Sequence, residues 1–144
     1  MAQLVLLGPG VQRTTMMRRV FAQGFGSNVY AFENSCDDRP SDLIAAADLV
    51  VLSSSSGTAT LLDVLAAGRP VVAPAEPATV QLVVPGIAGL VYPPGNVSGM
   101  TSALLRLLNA PVLRRGMGCR ARNVARRHHL EAIARDQSKK GNRS

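Results

Sequence analysis

Five short apolar runs, Gln3 to Leu7, Asn28 to Phe32, Leu49 to Leu52, Pro70 to Ala73 and Gly89 to Tyr92, recur along the chain with a helix-forming segment in each gap. Their repeat distance of roughly twenty residues is what a strand, a short loop and a crossover helix occupy, so the pattern predicts an α/β fold with parallel strands. The run Leu49-Val50-Val51-Leu52 has no polar alternation, which suits a strand covered on both faces. The expectation is one open parallel sheet of about five strands with helices on both sides.

The helices carry their own signals. Ser41 and Asp42 are placed to cap a helix over Leu43 to Ala47, and Val97, Met100, Leu104, Leu107 and Leu108 form an apolar stripe at helical spacing, with Asn96 or Ser98 as its start. After Pro111, whose fixed φ suits a first turn, Leu113, Met117, Ala121 and Val124 continue the pattern in a further helix. The stripe fades past His129, so residues 1–136 read as the folded domain and Gln137 to Ser144 as a basic, disordered tail.

Charge and composition narrow the class. With 47% hydrophobic and 17% charged residues in 144, the chain has the make-up of one globular domain. Residues 1–105 carry five basic and seven acidic side chains, whereas 106–144 carry eleven basic and two acidic. Only five aromatic residues occur, which leaves no base-stacking platform and argues against nucleic acid as the partner. Cys36 and Cys119 show neither CxxC spacing nor a His at metal-ligand distance, so they read as reduced, partly buried thiols, no metal is expected, and the compartment reads as cytoplasmic. The opening MAQLVLLGPG has no basic leader, and its apolar run is too short for a signal peptide or a membrane span.

The segment most open to chemistry is Ser53 to Gly57, which leaves the third apolar run and enters a helix near Thr58. Ligands of open parallel sheets bind beyond the carboxyl ends of the strands, and free amides at a helix start favour phosphate or carboxylate. A serine-rich N-cap is the plain structural alternative. The GPG at Gly8 to Gly10 lacks the third glycine of a dinucleotide fingerprint and reads as a strand-to-helix turn.

Three segments taken in order, AQLVLLGPG, AAADLVVLSSSSGTATLLDVLAAGRPVVAP and VPGIAGLVYPPGNVSGM with the helices that follow, resemble the carboxyl-terminal, nucleotide-sugar-binding half of retaining GT-B glycosyltransferases, the glycosyl transferases group 1 (family 4). LLDVLAAGRPVVA is similar to the family's L-E-A-M-A-x-G-x-P-V-V, and PGIAGLVYPPGN to its D-G-x-T-G-L-L-V-P-P-G-D. The resemblance covers residues 2–136 and implies a Rossmann-like domain. It implies donor phosphate and sugar contacts at Ser55, Ser56, Gly57 and Thr58, a ribose ligand at Asp63, and a nucleotide base beside Ala31 and Phe32.

The departures are specific. Ser55 stands where the first glutamate of the family's E-x7-E is expected, and Gln81 stands for the acid of P-E-I-V. The chain starts at what resembles the second segment of that half, so the donor-phosphate Arg and Lys and the acceptor-binding amino-terminal domain are expected to lie outside it. The implied partners are a nucleotide-sugar or nucleoside diphosphate and a separate amino-terminal Rossmann-like domain. No catalytic residue, cofactor or metal is assigned, and the 144 residues alone are expected to be inactive. From another class, a non-catalytic module would recruit an anionic partner, a membrane surface or nucleic acid, through the basic helix and tail. His128 and His129 are adjacent, on different faces of a regular helix, and are expected not to share a site.

Overall fold

The computed structural model describes residues 2–7, 12–32, 40–53 and 56–142. The chain divides into two compact units, Met1–Asp42 and Leu43–Ser144. In the first, β1 (Leu4–Leu7) is followed by α1 (Arg13–Ala22) and β2 (Val29–Phe32). β1 and β2 pair in parallel from Leu4 opposite Val29 to Leu7 opposite Phe32. Coverage on both faces, expected of parallel strands, is not found here: α1 buries none of its residues, and Leu4, Val5, Leu7 and Phe32 are exposed. A two-stranded sheet presents two apolar faces, and one helix covers one at most.

The second unit is entered through α2 (Pro40–Ala46) and continues as β3 (Val50–Val51), α3 (Thr58–Ala66), β4 (Val71–Pro74), α4 (Pro77–Val83), β5 (Gly89–Tyr92), α5 (Val97–Leu108) and α6 (Pro111–Gly141). Its three strands are all parallel in the order β3-β4-β5. The expected parallel α/β architecture is therefore present, with the five strands divided between a two-stranded and a three-stranded sheet.

β4 is central and all four of its residues are buried. Alternation along it sorts the core: Val71 and Ala73 join Leu61, Val64 and Leu65 of α3, while Val72 joins Tyr92, Leu107 of α5 and Met117 of α6. Helices thus cover both faces, as the unbroken apolar runs require. α6 contributes Met117 to the second cluster and Ala121 and Ala125 to the first, so it spans both.

A glycine sits at that crossing because nothing larger fits. A Cβ on Gly118 would collide with the carbonyl oxygen of Gly68. Gly68 itself ends α3 at φ +69°, with its N–H donating to Leu65 (2.9 Å) and the Arg69 N–H to Val64 (3.2 Å). Those two bonds are a Schellman motif, which places a glycine before Arg69-Pro70. The turn brings Arg69 to the carbonyl of Ala45 at the end of α2.

Several expectations are corrected. α2 begins at Pro40, so Ser41 and Asp42 lie in its first turn rather than before it, where the Asp42 charge still complements the helix dipole. Asn96 does cap α5, its side chain accepting from the Gly99 N–H at 2.7 Å, but Val97 beside it is 69% exposed. Burial begins a turn later, where α5 meets β4 and β5. Cys119 is exposed, not partly buried, because α6 turns Met117 and Ala121 inward instead; Cys36 lies outside the described residues. α6 runs on through Gln137 to Gly141, past the point where the stripe fades; its last buried residue is Ala125.

Candidate functional site

Between β3 and α3, Ser53 and Ser56 bond to each other. The Ser56 N–H donates to the Ser53 carbonyl at 3.0 Å, and the Ser53 N–H donates to Ser56 Oγ at 3.2 Å. Ser56 therefore offers no spare amide, and Ser55 lies outside the described residues. Gly57 is the N-cap of α3 at φ −71°, ψ 165°, an extended conformation open to any residue, with empty space where a Cβ would stand. What the glycine leaves is room and no side-chain cap. The first helical bond runs from the Leu61 N–H to the Gly57 carbonyl at 3.2 Å. The amides of Thr58, Ala59 and Thr60 precede it and carry the positive end of the helix dipole.

Thr58, the first of these, borders a cavity of about 40 Å³ at the carboxyl ends of β3 and β4. Ser53, Ser56, Gly57 and Thr58 form one side of it, and Ala73, Pro74, Glu76 and Thr79 the other. That volume takes about one water, so a ligand would engage it by one polar edge and lie mostly outside. Glu76 is the residue that sequence reasoning missed. It holds the N-cap position of α4 without accepting a capping bond, and it lines the cavity. The signal was an acid immediately before Pro77, where a helix starts. Behind the cavity, Tyr92 donates to the Leu52 carbonyl at 3.2 Å, and burial, with the Glu76 charge second, raises its pKa above the ordinary tyrosine value.

The other expected residues fall elsewhere. Asp63 is exposed on α3 and does not border this cavity; it opens on a separate groove of about 410 Å³ between α3 and α6. His128 and His129 both border that groove, contrary to expectation, because it wraps far enough round α6 to reach neighbouring faces. Ala31 and Phe32 close β2 in the first unit, opposite Leu6 and Leu7. Gln81 is exposed on α4. Asp48 joins α2 to β3 with its side chain 3.9 Å from Arg114, which fits a junction residue. Among the described residues no three His, Cys, Asp or Glu side chains converge as a metal site, and no helix is long and apolar enough to cross a membrane.

Residues 1–110 match the family described as glycosyl transferases group 1. No curated protein sequence matches the chain. Among solved structures, the chain superposes on sucrose-phosphate synthase (tll1590) from Thermosynechococcus elongatus with a TM-score of 0.79, at 24% identity, over 98% of this chain and 38% of that one. It superposes on Anabaena Alr3699/HepE, solved in complex with UDP, with a TM-score of 0.77, at 20% identity, over 96% and 41%. For WaaG, a glycosyltransferase involved in lipopolysaccharide biosynthesis, the values are 0.72, 25%, 85% and 33%. The fold is thus that of GT-B glycosyltransferases, and the chain spans 33% to 41% of these proteins' lengths.

Proposed function

The chain belongs to the glycosyl transferases group 1 family, and we propose that it holds the diphosphate of a nucleotide-sugar donor at the start of α3. Within a two-domain glycosyltransferase it presents that donor for transfer, with retention, to an acceptor bound by the other domain. The observation that carries this reading is the first turn of α3, which has no side-chain cap and whose first residue, Thr58, borders the cavity at the strand ends. HepE, which shares the fold, is solved with UDP and with UDP-glucose. Much of the catalytic advantage of a two-domain cleft is positioning of donor against acceptor, so the 144 residues alone supply binding and not turnover.

Calorimetry with UDP, GDP and ADP tests the assignment. Weak binding in the millimolar range is expected, because Glu76 opposes the phosphates. Thr58→Pro is the decisive variant: proline is tolerated at the first helical position, and Gly57 already has the extended conformation that a following proline requires, yet one amide donor is removed. An intact fold with several-fold weaker UDP binding is expected; unchanged affinity overturns the assignment. Asp63→Ala separates the implied ribose role, which would weaken UDP but not pyrophosphate.

A second reading is favoured by the last part of α6, where Arg126, Arg127, Arg135, Lys139 and Lys140 follow or adjoin exposed Leu130 and Ile133 beyond the packed core. We propose that this segment lies against an anionic membrane surface. Sedimentation with anionic vesicles should fall steeply as salt rises, and equal retention on neutral vesicles overturns it.

A further inference from the structure

β4 is bonded to its two neighbours by alternate residues. Toward β5, the N–H of Val71 donates to Ala88 (3.4 Å) and that of Ala75 to Tyr92 (2.8 Å); toward β3, the N–H groups of Val50 and Leu52 donate to Pro70 (3.1 Å) and Val72 (2.9 Å). With Val51 opposite Val72, Ala73 comes opposite Leu52, and a parallel ladder then assigns the Leu52 carbonyl to the N–H of residue 74. Residue 74 is proline, which has no N–H to give. The ladder between β3 and β4 therefore stops at the strand ends where the cavity opens, and Leu52 and Pro74 both line it.

The missing donor comes from the next strand over. Tyr92 stands opposite Pro74 on β5, and its hydroxyl crosses the end of β4 to the Leu52 carbonyl at 3.2 Å, in a buried bond. A buried carbonyl without a donor is costly, which accounts for a hydroxyl inside the second core cluster. Tyr92 is also held to the opposite wall, because its own carbonyl accepts from Ala75, the residue before Glu76. A single residue is thus bonded to both walls of the cavity. It stands where the family's L-L-V-P-P-G-D has valine, so the hydroxyl is a departure from that pattern.

We propose that Tyr92 is a positioning residue for the donor site: standing in for the ladder donor that Pro74 lacks, it fixes the wall that carries Ser53, Ser56 and Thr58 relative to the wall that carries Glu76. The assignment rests on the reading of the start of α3 as the diphosphate site. Only one polar edge of a ligand enters so small a cavity, so the spacing of its walls acts directly on the contacts of that edge.

The test is calorimetry of the 144-residue chain with UDP, together with amide hydrogen exchange of the free protein. Tyr92→Phe removes only the hydroxyl; it should weaken UDP several-fold and quicken exchange at the Ser53 and Ser56 amides. Asn96→Ala, which removes a helix cap away from the cavity, should change neither at a comparable loss of melting temperature. Pro74→Ala combined with Tyr92→Phe returns an N–H to Leu52 and should recover most of the affinity and the slow exchange, a rescue that general loosening of the fold would not give. Circular dichroism checks that each variant is folded, and should the double variant not fold, the two single variants decide. Unchanged UDP affinity in Tyr92→Phe, an equal loss in Asn96→Ala, or a folded double variant without recovery overturns the proposal. If the unaltered chain does not bind UDP, the donor reading fails by itself; exchange that quickens only in Tyr92→Phe then keeps Tyr92 as the residue that positions this wall, and unchanged exchange overturns it.

Discussion

The Tyr92 hydroxyl at the end of β5 donates a 3.2 Å hydrogen bond to the carbonyl of Leu52, the residue that follows β3. It ties the two strands that flank β4, one residue before the Ser53 turn that leads to α3. The bond is buried, so the phenol is anchored where the candidate site begins.

Tyr92→Phe should cost about 1 kcal/mol, the net worth of a buried neutral hydrogen bond plus the unsatisfied Leu52 carbonyl. It should also change the alkaline limb of stability. Because the folded-state pKa of Tyr92 is raised, by burial first and Glu76 second, its contribution is complete below the unfolded value near 10 and is lost as pH rises through the folded value. Urea denaturation at pH 7 and above pH 10 checks both: the variant should begin lower and decline less.

Glu76→Gln should tighten nucleoside diphosphate binding. The carboxylate borders the cavity that the phosphate edge would enter, and removing a like charge at partly exposed range is worth up to about 1 kcal/mol, or several-fold in Kd. The gain should shrink with added salt. Calorimetry at two ionic strengths measures it, and a gain independent of salt would assign the effect to something other than charge.

Gly118→Ala should destabilise by about 1–3 kcal/mol, since its Cβ meets the backbone of Gly68 rather than a side chain that can move aside. Gly116→Ala is the control. Its nearest neighbours are the flexible end of Arg120 at 3.5 Å, and alanine should be neutral or stabilising there by helix propensity. Denaturation midpoints that rank the two the other way would contradict the close crossing of α6 over the end of α3.

Asn96→Ala should cost about 1 kcal/mol through loss of the cap on the Gly99 amide. Asn96→Asp should keep most of that stability, because a carboxylate accepts the same bond and suits the helix dipole. Thermal unfolding of the pair distinguishes a cap from a packing role.

The 144 residues alone should transfer no sugar from a nucleotide-sugar donor, and Ser55→Glu should not change that. Positioning donor against acceptor accounts for ~7 to 11 kcal/mol of barrier in well-oriented reactions, which one side chain does not restore. A radiolabelled donor assay is the check, and measurable transfer by this chain would place acceptor recognition on it.

Much of the fold follows from the sequence because its determinants are local. The runs that form β1 to β5 are continuous and apolar whether or not the strand is covered, Gly68-Arg69-Pro70 ends a helix, and Asn96 carries its own capping oxygen; none of these depends on a distant partner. The resemblance to GT-B glycosyltransferases likewise rests on residues in linear order. Tertiary structure decided what depends on two elements meeting. It placed Asp63 on a groove with α6 rather than on the cavity at the start of α3, brought Glu76 to that cavity from the residues that follow β4, and gathered His128 and His129 on one groove despite their different helical faces. It also left α1 without a buried residue, although Met16, Val20 and Phe21 are as apolar as residues that fill the core elsewhere. Hydrophobicity says that a side chain would gain from burial; whether a second surface arrives to bury it depends on which elements pack together.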